Sequence, residues 1–284
     1  MLEVVLDTLK DSIKLLPFLF VAYLIMEYIE HKTGDKAQKI VQKSGKFGPF
    51  LGSILGIFPQ CGFSAMAANL YAGRIITLGT LIAIFLSTSD EMLPILLSEA
   101  VPMDVILKIL GIKLMVGMIA GFAIDFAVRK LVKEEKENKI SEVCEHEHCH
   151  CEEEGILKSS IKHTISVFVY ILIISFILNT VIYLIGEDNL ANFILNKPIL
   201  GPILAGIIGL IPNCASSVLL TQLYLSGVIS VSTMLSGLLV GAGVGILILC
   251  KVNKNIKENA SIIGLLYVIG VVAGIVLEIC GLQI

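Results

Sequence analysis

The sequence predicts an all-α protein that crosses a membrane several times, and three observations lead to this prediction. Apolar residues make up 56% of the 284 residues, charged residues make up only 16%, and the mean hydropathy is +0.89. Several apolar runs reach the ~20 residues that a helix needs to cross the hydrocarbon layer. The chain also repeats one pattern with a constant shift of 153 residues, which relates Cys61 to Cys214. The predicted fold is two inverted repeats, each with three spanning helices and one re-entrant helical hairpin, or ten helical segments in all.

The repeat is centred on two stretches in which proline, an amide, a cysteine and small residues interrupt an apolar segment. The first is FPQCGFS at 58–64, and the second is IPNCASS at 211–217. Proline removes a backbone donor and clashes with the preceding helical turn, while small residues allow close approach. Further identical pairs related by this shift are Gly48 and Gly201, Pro49 and Pro202, Gly117 and Gly270, and Gly121 and Gly274. Agreement along the whole half without a gap indicates an internal duplication.

A polar segment separates the two copies, so the chain is predicted to have three parts. These parts are a first membrane repeat at 1–128, a cytoplasmic linker rich in His, Cys and Glu at 129–162, and a second, inverted repeat at 163–284. The elements predicted for the first repeat are a span at 13–30, short apolar arms at 47–58 and 63–72, and spans at 75–97 and 105–128. Each arm rises through only about half of the bilayer as a helix.

The placement of lysine and arginine predicts the orientation. Residues 31–46, 129–139 and 251–260 are rich in these side chains and are predicted to be cytoplasmic, whereas 98–104 and 186–197 carry mainly acids. The loops 31–46 and 98–104 are predicted to lie on opposite sides, and the span 75–97 alone accounts for that crossing. The first motif must therefore enter and leave the membrane on the same side. The motif is then the tip of a re-entrant hairpin, and its copy enters from the opposite side. The alternative, a kinked span in a parallel duplication, leaves these loops on the wrong sides.

The two hairpin tips are the predicted substrate pathway, because discontinuous helices from inverted repeats form the binding sites of many transporters. Cys61 and Cys214 are equivalent thiols at the two tips, and thiolates are soft metal ligands. The polar side chains predicted to line the pathway beside them are Gln60, Asn213, Ser64, Ser217, Asn69 and Gln222. The alternative is structural: the cysteines pack as small apolar side chains, and the amides bond to neighbouring helices.

Asp90 and Glu91 are the strongest charged candidates, because intramembrane acids are costly and usually face a cavity, a cation or a proton path. They end the oxygen-rich run STSDE, which suits a hard or borderline divalent cation. The second repeat has Gly, Ala and Val at 241–245, so the acidic element occurs once. The alternative is that both acids are solvated at the outer interface. Glu27 and Lys113 are weaker candidates, since such side chains can reach the interface or form structural pairs.

The linker contains a tract of metal-binding side chains. They are Cys144, His146, His148, Cys149, His150 and Cys151, interleaved with glutamates. Thiols and imidazoles in a polar segment predict a tract that captures metal ions, although the spacing matches no fixed zinc-site geometry. A cytoplasmic capture tract fits export, a regulatory sensor fits equally, and a merely solubilising linker is the alternative.

These features resemble the ten-segment heavy-metal exporters, a family of the arsenic efflux protein and manganese transporter type. The resemblance covers essentially the whole chain and rests on the paired Pro-Gln-Cys-Gly and Pro-Asn-Cys-Ala breaks and on the His/Cys linker. It implies efflux of a metal or a metalloid, with Cys61 and Cys214 as pathway residues.

The predicted function is a secondary transporter that exports manganese or another divalent metal ion across the inner (cytoplasmic) membrane. Coupling to protons or to the membrane potential is expected, because the chain has no nucleotide-binding loop. The expected partners are the metal substrate and the lipid bilayer, and no resident cofactor, nucleic acid or catalytic activity is predicted. The alternatives are an arsenic or metalloid efflux permease, a passive channel, and a membrane lipid-pyrophosphate phosphatase. The phosphatase would need basic and acidic side chains at the tips, where only Arg74 is near.

Overall fold

The computed structural model describes residues 47–58, 61–89, 91–131, 156–185 and 199–281, together with several helical positions between 13 and 24. Every regular element in these parts of the chain is a helix. Among the described residues, five segments are long and apolar enough to cross a membrane: Leu78–Ser98, Met103–Val128, Ser160–Ile177, Val231–Val252 and Ile256–Ile279. The prediction of an all-α protein with several membrane spans is therefore confirmed, while most of the predicted span 13–30 lies outside the described residues.

The described helices fall into two matching sets. The first half contains α1 (Gly48–Gly56), α2 (Cys61–Ala72), α3 (Leu78–Ser87), α4 (Met92–Ser98) and α5 (Met103–Leu131). The second half contains α6 (Ile156–Ile185), α7 (Leu200–Gly209), α8 (Cys214–Leu225), α9 (Val231–Val240), α10 (Gly245–Val252) and α11 (Ile256–Ile279). The helices α1 to α5 have α7 to α11 as their counterparts under the sequence shift. Both α5 and α6 extend into the segment that the sequence assigned to the linker.

Two spans that were expected to be continuous are each broken into two helices. The first break, at 88–91, separates α3 from α4, and the second, at 241–244, separates α9 from α10. Pro94, in the first turn of α4, has no backbone N–H to donate to the preceding turn, and this favours a break between α3 and α4. The second break contains Gly241 and Gly243, and Gly243 has a φ of +52°, a left-handed conformation that glycine adopts readily. Both breaks were missed because the hydropathy averaged over a whole span stays high when only one turn is not helical.

The helices α3 and α9, which are the first halves of the two broken spans, have the same kind of N-terminal cap. Thr77 caps α3 and its hydroxyl donates to Asp125 Oδ2 at 2.7 Å, while Gly79 N donates to Asp125 Oδ1 at 2.9 Å. Ser230 caps α9 and donates to Glu278 Oε2 at 2.7 Å. A carboxylate at a helix N-terminus satisfies free N–H groups and complements the helix dipole. These two acids therefore have a structural role.

Small residues fix the position and direction of α1 beside α3. A Cβ added at Gly48 would lie 2.1 Å from Thr80 Oγ1, and one added at Gly56 would lie 2.1 Å from Ser87 Oγ. The beginning of α1 therefore faces the beginning of α3, and their ends face each other, so the two helices run in parallel. Close approach of this kind is common between membrane helices, because small residues permit extensive backbone contact.

The helix α2 runs back along α3 and packs beside α10 of the other half. A Cβ added at Gly245, which begins α10, would lie 2.9 Å from both Ser64 Cβ and Phe85 Cε1. The first turn of α2 therefore lies level with the last turn of α3. At the other end of α2, Tyr71 and Arg74 contact Glu258, which follows α10 in the chain. Consequently α2 is antiparallel to α3 and parallel to α10.

The broken spans form the centre of the structure, and the long helices surround them. Most of the apolar stretch in Leu78–Ser98 and in Val231–Val252 is buried, whereas less than a third of it is buried in the spans of α5, α6 and α11. The outer face of α6 exposes an apolar residue at every fourth position, namely Ile161, Ile165, Val169, Ile173 and Ile177. An apolar face of this kind suits contact with lipid, whereas the broken backbone is covered by protein.

Candidate functional site

The two helix breaks lie next to each other in the interior. Phe85, in the last turn of α3, contacts Gly245, the residue with which α10 begins, so the first break adjoins the second. Each hairpin tip lies beside the break of its own half: Gly56 packs on Ser87, and a Cβ added at Gly209 would lie 2.2 Å from the Gly237 carbonyl oxygen. The polar backbone ends of the broken helices are therefore gathered in one buried region.

Hydroxyl groups line the end of α3 at the first break. Ser87, Thr88 and Ser89 are all buried. Ser87 Oγ donates to Ala83 O at 2.7 Å, and Thr88 Oγ1 donates to Ile84 O at 2.7 Å. Since each hydroxyl donates its hydrogen bond to a carbonyl of its own helix, its oxygen lone pairs remain available to accept a hydrogen bond or to bind a cation. Glu91, two residues after Ser89, is partly buried.

The second hairpin tip places its predicted residues at the start of α8. Asn213 is the N-cap residue and Cys214 is the first helical residue, and both side chains are buried. Ser217, also buried, donates to Cys214 O at 2.7 Å, and the unpredicted Ser216 donates to Asn213 O at 2.8 Å. In the first hairpin, Cys61 is likewise the first residue of α2. A helix N-terminus carries partial positive charge, which favours an anionic group such as a thiolate there.

On the second arm of the first hairpin, Asn69 has an incompletely satisfied side chain. Asn69 is fully buried, and its Nδ2 donates to Ala65 O at 3.0 Å. Its Oδ1 has no hydrogen-bond partner among the described residues. A buried acceptor left without a partner costs about 1–3 kcal/mol, so a donor or a cation is favoured at this point. The equivalent Gln222 is exposed, so the two amides do not have matching surroundings. Ser64, one turn earlier on α2, is fully buried against Gly245.

Several predicted site residues lie outside the described part of the chain. They are Gln60, Asp90 and the six linker residues Cys144, His146, His148, Cys149, His150 and Cys151. Within the described residues, no group of three or more His, Cys, Asp and Glu side chains lies close enough together to hold a metal ion.

Lys113 has a more prominent position than the sequence indicated. It is fully buried on α5, and its Nζ donates to the carbonyl oxygen of Leu238 in α9 at 2.7 Å. The interpretation that this side chain reaches the membrane interface is wrong. Lys113 lies ten residues after Met103, so it is about 15 Å along α5 and well inside the apolar segment Met103–Val128. Its position within a long apolar run was the available signal.

At the end of the structure that carries Arg74, an ion pair and hydrogen bonds join the two halves. Arg74 Nη1 and Nη2 donate to Glu258 Oε1 and Oε2 at 2.6 and 2.8 Å, and Tyr71 Oη also donates to Oε1. These hydrogen bonds raise the pKa of the Arg74 guanidinium above its already high usual value, so it is always charged. At the equivalent positions of the other half, Gly227 and Val105 replace the two charged residues. No sequence signal pointed to this pairing.

The chain was compared with protein families, with curated proteins and with solved structures. A family model with the description "Putative, 10TM heavy-metal exporter" matches residues 1–184 and 130–243. No curated protein and no solved structure matches the chain. The match covers more than half of the sequence, and the described helices agree with a multi-pass membrane protein. The suspected resemblance is confirmed, and the chain belongs to the family of 10TM heavy-metal exporters.

Proposed function

We propose that this protein is a secondary transporter whose substrate is manganese or another divalent metal ion. The observation that carries the proposal is the buried contact between two helix breaks, each beside a hairpin tip. Half-helix C-termini and unwound carbonyls bind cations in secondary transporters. The hydroxyl oxygens of Ser87, Thr88 and Ser89, with Asp90 and Glu91 following in the sequence, add hard ligands suited to such an ion.

The proposed architecture is two inverted repeats, at 1–128 and 163–284, each with one re-entrant hairpin. Three helix directions support it: α1 is parallel to α3, α2 is antiparallel to α3, and α2 is parallel to α10. The hairpin α1–α2 then begins and ends at the same end of α3. The second broken span also runs opposite to the first, as inversion requires. The lysine-rich loops assign the Arg74 end to the cytoplasm of a cell whose inner membrane holds the protein.

Alternating exposure of the buried region to the two sides would move the ion outward. The proposed coupling is to protons or to the membrane potential. A carboxylate of Asp90 or Glu91 that releases a proton as the ion binds is the simplest exchange, because the same oxygens serve both cations in turn. The cysteine and histidine tract in the linker 129–162 would deliver or sense the metal on the cytoplasmic side.

The second candidate is an efflux permease for arsenic or another metalloid. Cys214 favours it, because this thiol is buried at the start of α8, and Cys61 is at the equivalent position of α2. Thiolates select soft ions and metalloids over hard divalent cations. Oxygen ligands at the first break favour the hard ion, so the balance of these two donor sets determines the substrate.

The test is metal accumulation in a host that lacks its own exporters, challenged with manganese, zinc, cobalt, cadmium and arsenite. We expect expression of the protein to lower the cellular content of one of these by at least severalfold. The double variant Cys61→Ala and Cys214→Ala is expected to remove most of this effect. The matched control is Cys250→Ala with Cys280→Ala, because both of these thiols are exposed. The exporter proposal is wrong if no ion changes and the tip variant is silent under every challenge.

Deletion of residues 144–154 is a separate test of the linker. We expect the variant to keep transport at saturating metal but to need a severalfold higher metal concentration, because local capture is lost. Uptake into inside-out vesicles measures this directly. A loss of the maximal rate with unchanged apparent affinity would contradict a capture role.

A further inference from the structure

The ammonium group of Lys113 lies at the C-terminus of a half-helix from the other repeat. Leu238, whose carbonyl accepts from Lys113 Nζ, belongs to the last turn of α9, which ends at Val240. Gly241 N donates to Gly237 O, and the helix does not continue beyond it. Carbonyls of a last helical turn lack intrahelical partners and carry partial negative charge. This position therefore stabilises a cation, and the protein supplies one from its own chain.

The equivalent crossing in the first repeat has a different chemistry. Under the sequence shift Lys113 corresponds to Leu266 of α11, which is fully buried in one apolar cluster with Phe85 and Leu86 of α3. No tethered cation is thus supplied to the end of α3 from the corresponding position. The acids also differ, because Asp90 and Glu91 follow α3 whereas glycine, alanine and valine follow α9. The two half-helix ends therefore differ in charge: an ammonium group contacts the end of α9, whereas two acids follow α3 in the sequence.

We propose that Lys113 is a positioning residue that fills the cation position at the end of α9 and confines the transported ion to the break after α3. A divalent ion and an ammonium group repel each other strongly in a buried region of low effective dielectric constant. One ion per chain then binds, at the break that carries the acids. The location of the ion rests on the proposed function, whereas the cation position of Lys113 does not.

The first experiment tests the cation position without any metal. Lys113→Ala removes three methylene groups and the ammonium group, and propylammonium has the same size as this missing part. Leu266→Ala is the matched control at the equivalent buried position. We expect both full-length variants to unfold at lower temperature than the wild type. Propylammonium chloride should restore at least half of the lost unfolding temperature in Lys113→Ala and none of it in Leu266→Ala. Tetramethylammonium, which has no N–H donor, should restore neither. Equal responses of the two variants, or no recovery of Lys113→Ala, would overturn the proposal.

The second experiment measures Mn²⁺ binding to the purified full chain. Removing a nearby positive charge should tighten binding, so we expect the Kd of Lys113→Ala to fall about tenfold, with propylammonium reversing the change. A loss of packing alone would weaken binding or leave it unchanged, and either result in a folded variant would overturn the proposal. If the wild type binds no Mn²⁺, manganese is the wrong substrate. The thermal experiment then still decides the role of Lys113.

Discussion

Replacing Glu258 by glutamine is expected to lower both the unfolding temperature and the transport rate. The carboxylate of Glu258 accepts two hydrogen bonds from Arg74 and one from Tyr71. Glutamine keeps the shape but removes the charge, and it leaves a guanidinium that is only 17% exposed without its counter-ion. Truncation of a buried charge pair of this kind costs about 2–5 kcal/mol. The partial exposure of both side chains favours about 2 kcal/mol, which corresponds to a fall in Tm of about 4–8 °C.

The transport rate is expected to respond because this contact joins the first hairpin to the second half. A contact that exists in only one conformation shifts the equilibrium between conformations by its own free energy. A contribution of about 2 kcal/mol changes the ratio of the two populations by about 30-fold. The equivalent positions of the other half are Gly227 and Val105, which cannot form an ion pair. Loss of Glu258 should therefore favour the conformation in which the Arg74 end is open.

The control for Glu258→Gln is Asp104→Asn, which removes the exposed ion pair with Lys108. An exposed pair four residues apart on one helix contributes only about 0.3–0.5 kcal/mol, so this variant should behave as the wild type. The exchange variant Arg74→Glu with Glu258→Arg should recover much of the lost Tm. A Tm of Glu258→Gln equal to that of Asp104→Asn would show that the pair contributes little.

The sequence was sufficient for the overall class and for the points at which the helices after the two repeated stretches begin. Composition and run length predicted the spans, and the repeated proline and cysteine stretches predicted where α2 and α8 begin, because these signals are local. The breaks at 88–91 and 241–244 were missed although Pro94 and Gly243 mark them. Their effect on the backbone is confined to one turn, and a hydropathy window averages over many residues.

The contacts that join the two halves were beyond the sequence for a different reason. Lys113 and Leu238 are 125 residues apart, and Arg74 and Glu258 are 184 residues apart. Spacing along the chain carries no information on such pairs, since they depend on how the halves pack. The duplication even misleads here, because it predicts equivalent surroundings for equivalent residues. Asn69 is buried and Gln222 is exposed, and Lys113 corresponds to an apolar leucine.

Gly209→Ala is expected to prevent accumulation of stable protein, whereas Gly264→Ala is expected to be tolerated. A Cβ at Gly209 would lie 2.2 Å from the Gly237 carbonyl oxygen and 3.0 Å from its carbonyl carbon. The obstructing atoms belong to the backbone, so no rotamer change relieves the contact, and overpacking costs at the upper end of about 1–3 kcal/mol or more. At Gly264 nothing lies within 4 Å, and alanine favours the helix by about 1 kcal/mol.

Size-exclusion profiles of the expressed variants and their unfolding temperatures measure the difference between these two glycines. The comparison also bears on the site, because Gly237 directly precedes Leu238, whose carbonyl accepts from Lys113. A methyl group at Gly209 that displaces α9 must also move this acceptor. If Gly209→Ala is as stable as Gly264→Ala, the close approach of α7 to α9 does not hold. The end of α9 would then be fixed by α11, where Gly270 packs on Val240, and by Lys113 rather than by its hairpin.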